Sequence, residues 1–203
     1  MIEIAVVSYV LGTVQVGKPE ALLPAKLGES VSVGEQIKTG EGSLAILTFK
    51  DQSHVKLNAN SQLTLEAGKD PQDEVLLLKS GGVFSEVAKK ARPHFYVRTH
   101  AVTMGVRGTR FFTAYGKQGK SGEDVWMCVQ EGEVAVESSR GKSPVLVHEG
   151  EGVFVPAGKD VTPPKPYEWT KGLNWNMDPD KGDVVDHTSM KSVYKDLTRQ
   201  NYD

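Results

Sequence analysis

Short runs in which apolar residues alternate with polar or small residues recur along most of this chain. Successive side chains of a β-strand point to opposite faces, so a period of two marks strands with one face in a core. Helical periodicity is nearly absent before residue 185. The pattern therefore restricts the chain to an all-β fold in which the alternating pairs face a shared core. These pairs are Val14 and Val16, Val31 and Val33, Val55 and Leu57, Leu63 and Leu65, Phe95 and Val97, Val134 and Val136, Val145 and Val147, and Val153 and Val155.

Turn-forming residues separate the alternating runs, for example Gly40-Glu41-Gly42 and Gly81-Gly82. Many short strands between closely spaced turns are typical of a β-sandwich or barrel. A chain of 203 residues can bury one substantial core. We therefore predict one all-β domain over residues 1–162, folded as a two-sheet antiparallel β-sandwich or roll, with a jelly roll as a related arrangement.

The composition changes after Thr162, where three prolines follow within four residues. Proline lacks the amide hydrogen that a sheet needs, so residues 163–203 begin as an extended connector. We expect Trp169 and Trp175 to hold this connector against the domain. Near the chain end, helical spacing predicts a short amphipathic helix over residues 188–200 that contacts the domain or a partner. The residues on its apolar face are Met190, Val193, Tyr194 and Leu197.

The charge balance argues against two classes of partner. The chain has a formal net charge of -2 with both signs mixed throughout, so it offers no basic field for nucleic acid or an anionic membrane. The apolar opening Met1–Leu11 contains Glu3 and is too short to cross a bilayer. We predict no membrane span in this chain, with a leader or anchor expected to have been removed.

Residues for catalysis or metal binding are not grouped in the sequence. The single cysteine, Cys128, excludes an intrachain disulfide and a cysteine-based zinc site, and its alternating surroundings favour a buried thiol. The chain contains no nucleophile elbow, metalloprotease motif, phosphate-binding loop or dinucleotide fingerprint. We therefore expect no enzyme, no metal site and no cofactor. The five histidines are scattered, at His54, His94, His100, His148 and His187.

The segment Phe95–Phe111 resembles the most recognisable stretch of the FecR-like family, whose usual pattern is F-x-V-x-T-P-x-A-x-x-G-V-R-G-T-E-F. The chain departs from this pattern at His100, where proline is usual, and at Arg110, where an acidic residue is usual. Upstream residues 34–65 and the downstream pieces Gln130–Val134 and Glu149–Glu151 also resemble the family. The residues that match in the signature are Phe95, Val97, Thr99, Gly105, Val106, Arg107, Gly108, Thr109 and Phe111.

The resemblance implies a non-catalytic, extracytoplasmic module of the bacterial envelope, periplasmic or envelope-associated. Such modules occur in transmembrane signal regulators and in stand-alone envelope proteins. The leading hypothesis is a binding, scaffold or signalling module that acts through contacts with an envelope protein. The alternatives are a carbohydrate- or peptidoglycan-binding module and, least favoured, an enzyme of unrecognised type.

The signature itself has two interpretations. Gly105 and Gly108 allow a tight turn, and Arg107 between them can point inward, where its five donors would tie strand ends together. In the second interpretation Arg107 binds an anionic group. We favour the internal clasp, with Thr109 restarting the next strand.

A basic run precedes the signature strand. It contains Lys89, Lys90 and Arg92. A solvated loop is the simpler explanation, and contact with an anionic glycan or lipid headgroup is the alternative.

Overall fold

The structure, a computed structural model, describes residues 3–89, 94–116, 124–140, 143–157, 159–189 and 192–193. Sixteen strands make up most of these residues. Their bounds are β1 Glu3–Leu11, β2 Val14–Lys18, β3 Ala21–Pro24, β4 Ser30–Ser32, β5 Gln36–Thr39, β6 Leu44–Phe49, β7 His54–Leu57, β8 Gln62–Ala67, β9 Glu74–Glu86, β10 Phe95–Arg98, β11 Val102–Val106, β12 Arg110–Gly116, β13 Asp124–Glu131, β14 Glu133–Ser138, β15 Val145–His148 and β16 Gly152–Val155.

The strands form two sheets that share β9. Sheet A has the order β4-β1-β6-β7-β9-β12-β13-β16, and sheet B has the order β3-β2-β5-β8-β9-β10-β11-β14-β15. Residues 74–80 of β9 pair within sheet B, and residues 81–86 pair within sheet A. The predicted all-β, two-sheet fold is confirmed. The pairing is mixed, because β9 and β10 run parallel while the other strand pairs are antiparallel.

The crossing of β9 between the sheets depends on two glycines. Gly81 has a φ of +89°, and a Cβ there would collide with the side chain of Ser61 and lie 2.5 Å from its Cα. The Ser61 hydroxyl accepts a hydrogen bond from the amide of Gly82 at 3.0 Å and donates one to the Gly82 carbonyl at 3.1 Å. The close approach needs glycine, and Ser61 supplies the polar partners of the bend.

The main core lies between the inner faces of the two sheets. Both members of most alternating pairs are buried there, including Val14, Val55, Leu63 and Val134, whereas Val33 and Val145 are half-buried. Phe49 of sheet A meets Phe95 of sheet B edge to face, with ring centroids 5.5 Å apart. The alternation therefore identified the core-facing side of the strands correctly.

Residues 163–189 lie across the outer face of sheet A. Lys165 exchanges two backbone hydrogen bonds with Gly152 of β16, and the chain then continues through 3₁₀ turns at Glu168–Gly172 and Pro179–Lys181. Trp169 and Trp175 pack against the buried aromatic cluster of this face, which confirms the expected anchoring. The domain boundary at residue 162 stays a prediction.

The predicted C-terminal helix falls mostly outside the described residues. Ser192 and Val193 are helical, and the amide of Val193 donates to the carbonyl of Ser189 at 3.0 Å. Val193 is buried in the cluster on sheet A, so this position faces the molecule itself. Met190, Tyr194 and Leu197 lie outside the described residues, and their role as a partner contact stays a prediction.

Candidate functional site

The outer faces of the two sheets differ in what covers them. Residues 163–189 bury the aromatic side chains on the outer face of sheet A. On sheet B, Arg98 of β10 and Glu137 of β14 are exposed on the corresponding face, and Leu146 of β15 is 44% exposed. Among the residues that the structure describes, the outer face of sheet B is therefore the less covered of the two.

Tyr96 of β10 lies at the centre of this open face. Phe95 and Val97 on either side of it point into the core, so the alternation turns the Tyr96 ring outward. The paired residue on β11 is Gly105, and a Cβ at that position would lie 3.4 Å from the ring edge. Glycine at position 105 adds no side chain beside the ring. We call the outer face of sheet B around Tyr96 and Gly105 the Tyr96 face.

The environment of Tyr96 suppresses ionisation of its hydroxyl. Partial burial, together with the carboxylate of Asp73, raises the pKa of Tyr96 above its ordinary value. The hydroxyl stays protonated at physiological pH, so it can donate and accept hydrogen bonds. The Tyr96 side chain therefore offers a flat apolar ring with a polar hydroxyl at its end.

Two shallow hollows adjoin Tyr96, one on each side. The first has a volume of about 530 Å³ and is lined by polar groups that include Arg98, Thr103, Glu137 and Ser138. Arg98 is already paired with Glu66 of β8, with Nη1 and Oε2 3.2 Å apart. This hollow therefore mixes donors and acceptors without a strong net charge.

The second hollow has a volume of about 470 Å³ and contains part of the sequence signature. Gly105, Val106 and Arg107 line it together with Tyr96 and the exposed Leu146. The signature thus contributes directly to the open face.

The expected inward clasp by Arg107 is wrong, because the Arg107 side chain is exposed. Gly108 follows with a φ of +63°, and a Cβ there would collide with the side chain of Lys89 and lie 3.3 Å from its Cα. Glycine adopts this left-handed turn without strain, so position 108 strongly favours glycine. Arg107 lies just before this turn, on the outside and at the rim of the second hollow.

Arg110, and not Arg107, connects distant segments of the chain. Its Nη2 donates to the carbonyl of Trp175 at 3.2 Å and pairs with Glu86 at 3.1 Å. The arginine that departs from the family pattern therefore ties sheet A to the segment that covers it.

The other signature residues have structural roles. Thr109 and Phe111 are buried, and Phe111 belongs to the core between the sheets. Gly132 packs closely against the turn at Gly108, since a Cβ at position 132 would lie 2.9 Å from the carbonyl oxygen of Gly108. The Gly-flanked turn and the Glu131–Glu133 turn therefore pack against each other.

The predicted anion contact is only partly described. Lys89 is exposed, and its ammonium pairs with Glu131 at 3.2 Å, which offsets its charge. Lys90 and Arg92 lie outside the described residues. The anion contact stays a prediction.

Sequence reasoning overlooked Tyr96 as the centre of the surface. The signal was present, because Tyr96 and Arg98 are the positions of β10 that alternate with the core residues Phe95 and Val97. It also overlooked Lys56, an isolated lysine in β7 that is fully buried. Among the described residues, no group of three or more His, Cys, Asp or Glu is arranged to hold a metal ion.

Comparisons with known proteins agree with this architecture. Residues 35–135 match the protein family described as FecR protein. Two crystal structures, each of a candidate anti-sigma factor from Parabacteroides distasonis ATCC 8503, share the fold. The first has a TM-score of 0.58 at 20% identity and covers 81% of this chain and 73% of its own. The second has a TM-score of 0.57 at 16% identity and covers 82% of this chain and 91% of its own.

No curated protein matches the chain. Over the part of the chain that the structure describes, no helix has the length and apolar character that crossing a bilayer requires.

Proposed function

Residues 35–135 of this chain belong to the FecR family, and from this premise we propose that the protein is a non-catalytic signalling module of the bacterial envelope. In this proposal it acts by binding a protein partner through the Tyr96 face. The crystal structures with the same fold are described as candidate anti-sigma factors, and this favours a regulatory role that works through protein contacts.

The observation that carries the proposal is the open, aromatic-centred face of sheet B. Tyrosine and arginine are enriched in protein interfaces, and binding energy concentrates where such residues are surrounded by a polar rim. The Tyr96 face has this composition, with Tyr96 at its centre and Arg98 and Arg107 on its two sides. The outer face of sheet A is already occupied by the chain itself.

Polar and charged groups of both signs surround this face. His94 pairs with Asp73 at 3.3 Å, and His148 pairs with Glu133 at 3.0 Å. The mixed charges suit a partner that presents both signs.

The test compares two surface variants in binding to envelope proteins. Tyr96→Ser should abolish recovery of a specific partner from a cross-linked envelope extract while leaving the melting temperature nearly unchanged. Leu27→Ser is the matched control, because Leu27 is 72% exposed and lies outside sheet B. If Leu27→Ser loses the partner and Tyr96→Ser retains it, the Tyr96 face is not the docking surface.

The proposal also places the module in the periplasm or elsewhere in the envelope. Fractionation of cells that express the full-length gene product should recover it with envelope markers. Recovery with cytosolic markers would contradict this placement.

Glycan or peptidoglycan binding is the second candidate, and the same tyrosine favours it. A ring with carboxylate and guanidinium groups on both sides, and hydroxyl groups on one side, can stack on a sugar and form hydrogen bonds with its hydroxyls. Co-sedimentation with purified sacculi should then depend on Tyr96 and survive in Leu27→Ser. Sedimentation that does not change in Tyr96→Ser would exclude this candidate.

A further inference from the structure

Residues 167–189, which we call the strap, cover an aromatic surface on sheet A. Its regular structure is confined to two 3₁₀ turns, at Glu168–Gly172 and Pro179–Lys181. Trp175 of the strap meets Phe84 of β9 edge to face, with ring centroids 5.2 Å apart. The strap is thus a layer added to the sandwich without joining either sheet as a strand. The buried residues of the sandwich beneath it, which we call the seat, are Phe84, Phe112, Ala114, Trp126, Cys128 and Phe154.

The central loop of the strap, residues 174–186, is closed by its own side chains. The Asn174 amide donates to the carbonyls of Asp183 and Val185 at 2.8 and 2.9 Å. The Asn176 amide donates to the carbonyls of Gly182 and Asp183 at 3.1 and 3.2 Å. These hydrogen bonds lie within the strap, so the loop can keep its shape without the sandwich.

Three carbonyls of this loop converge on one side chain of the sandwich. The Lys56 ammonium donates to the carbonyl oxygens of Asn174, Asn176 and Val184 at 2.6, 2.9 and 3.0 Å. It also lies 4.3 Å from the centre of the Phe84 ring, in a cation–π contact. An ammonium has three donor hydrogens, so this geometry uses the full donor capacity of Lys56.

Weaker contacts surround this central one. Arg110 donates to the carbonyl of Trp175 at 3.2 Å, and the Asn58 amide donates to the Asp186 carboxylate at 3.3 Å. Both of these hydrogen bonds are part-buried, as are two of the three from Lys56, while the Lys56 side chain itself is fully buried. Lys56 makes three hydrogen bonds to the strap from one buried side chain, so it is the most connected residue of the attachment.

We propose that the strap opens and closes as one unit over an intact sandwich, with Lys56 as the latch that holds it closed. The strap carries its internal hydrogen bonds with it, while the sandwich keeps its sheets and its central core. Opening exposes the seat, so the device converts a covered aromatic surface into an accessible one. It involves sheet A and is independent of the function proposed for the Tyr96 face of sheet B.

Hydrogen–deuterium exchange on the full chain tests the latch. In Lys56→Met the three carbonyls lose their donor, and amides of the strap should exchange at least about tenfold faster. Amides of β12 and β13 should keep their exchange rates. Lys38→Met is the matched control, since Lys38 is an exposed lysine of β5, and it should leave both regions unchanged.

Two outcomes would overturn the proposal. Unchanged strap exchange in Lys56→Met would show that Lys56 is not the latch. Equal acceleration in the strap, β12 and β13 would show that the strap and the sandwich open together as one cooperative unit.

A second variant covers the case in which Lys56→Met does not fold. Asn176→Ala removes donors to the strap's own carbonyls and leaves Lys56 in place. The same selective increase in strap exchange, with a red shift of tryptophan fluorescence as Trp175 leaves Phe84, is the supporting result. No change in strap exchange would again overturn the proposal.

Discussion

Arg107 and Arg110 lie three residues apart in the chain, yet only Arg110 connects distant segments. Arg110 donates to the carbonyl of Trp175 and pairs with Glu86, while Arg107 is exposed at the rim of a hollow. Arg107 continues the outward-facing alternation of β11, and the left-handed turn at Gly108 follows it before Arg110. The stability of the fold should therefore depend on Arg110 and not on Arg107.

This difference predicts a pair of unfolding results. Arg110→Ala should lower the free energy of unfolding by about 1 kcal/mol, since it removes one hydrogen bond and a half-exposed ion pair. Arg107→Ala should change it by less than about 0.5 kcal/mol, as is usual for exposed positions. Urea denaturation measures both. A larger loss in Arg107→Ala than in Arg110→Ala would contradict the exposed position of Arg107.

Lys56 predicts a dependence of stability on pH. Burial is the main cause that lowers the pKa of Lys56 from 10.5 to about 8; Asp186 and Asp183 on the strap oppose the shift, and Arg110 adds to it. Between these two pH values the unfolded chain keeps the proton that the folded chain has lost. Stability therefore rises with pH in this window, and below about pH 8 Lys56 contributes no pH dependence.

The measurement is urea denaturation from pH 7.5 to 9.5. The wild-type chain and Lys38→Met should gain stability relative to Lys56→Met as the pH rises. A relative loss across this range would mean that the three carbonyls favour the charged amine more than burial disfavours it.

Among the strands, β9 is the one that pairs in both sheets and so connects them. Its first half pairs with β8 and β10 in sheet B, and its second half pairs with β7 and β12 in sheet A. The bend between the halves requires a close approach of Gly81 to Ser61. A substitution that disturbs this bend should therefore destabilise both sheets.

Two glycine variants separate backbone strain from this close approach. Gly34→Ala should cost about 1 to 2 kcal/mol, because Gly34 has a φ of +88° but nothing within 4 Å of an added Cβ. Gly81→Ala has a similar φ of +89° and should cost about 1 to 3 kcal/mol more, since its Cβ meets Ser61. Thermal unfolding of both variants gives the comparison. Equal losses would show that Ser61 moves aside freely.

The elements were predictable to different degrees for physical reasons. Strands such as β10 and β14 carry their own signal, because the period of two depends only on neighbouring residues. The parallel pairing of β9 with β10 and the bend at Gly81 depend on contacts between segments far apart in sequence. Local patterns do not encode such contacts.

At the scale of the whole molecule, the attachment of the strap to sheet A was not predicted from the sequence, because it also depends on contacts between distant segments. Lys56 interrupts the apolar pattern of β7 as an ordinary outward-facing lysine would, and its partners lie near residue 180. The prolines after Thr162 correctly indicated an end of regular pairing, but they do not reveal where the following chain lies. The Tyr96 face, in contrast, could have been predicted from the sequence, since the alternation of β10 alone places Tyr96 outside the core.

The layered arrangement makes Cys128 a reporter of how the molecule opens. Its thiol is fully buried in the seat, and this burial raises its pKa above the ordinary value. Because the thiolate is the reactive form, a thiol reagent should not label the closed chain at neutral pH. Labelling therefore requires opening, and two kinds of opening can be distinguished.

If the strap opens over an intact sandwich, low concentrations of urea should allow labelling of Cys128 before circular dichroism of the sheets changes. Lys56→Met should label faster still, while Lys38→Met should label at the wild-type rate. Labelling that begins only with the loss of sheet signal would mean that the strap is part of one cooperative structure. Rapid labelling of the wild-type chain without urea would contradict the burial of the thiol itself.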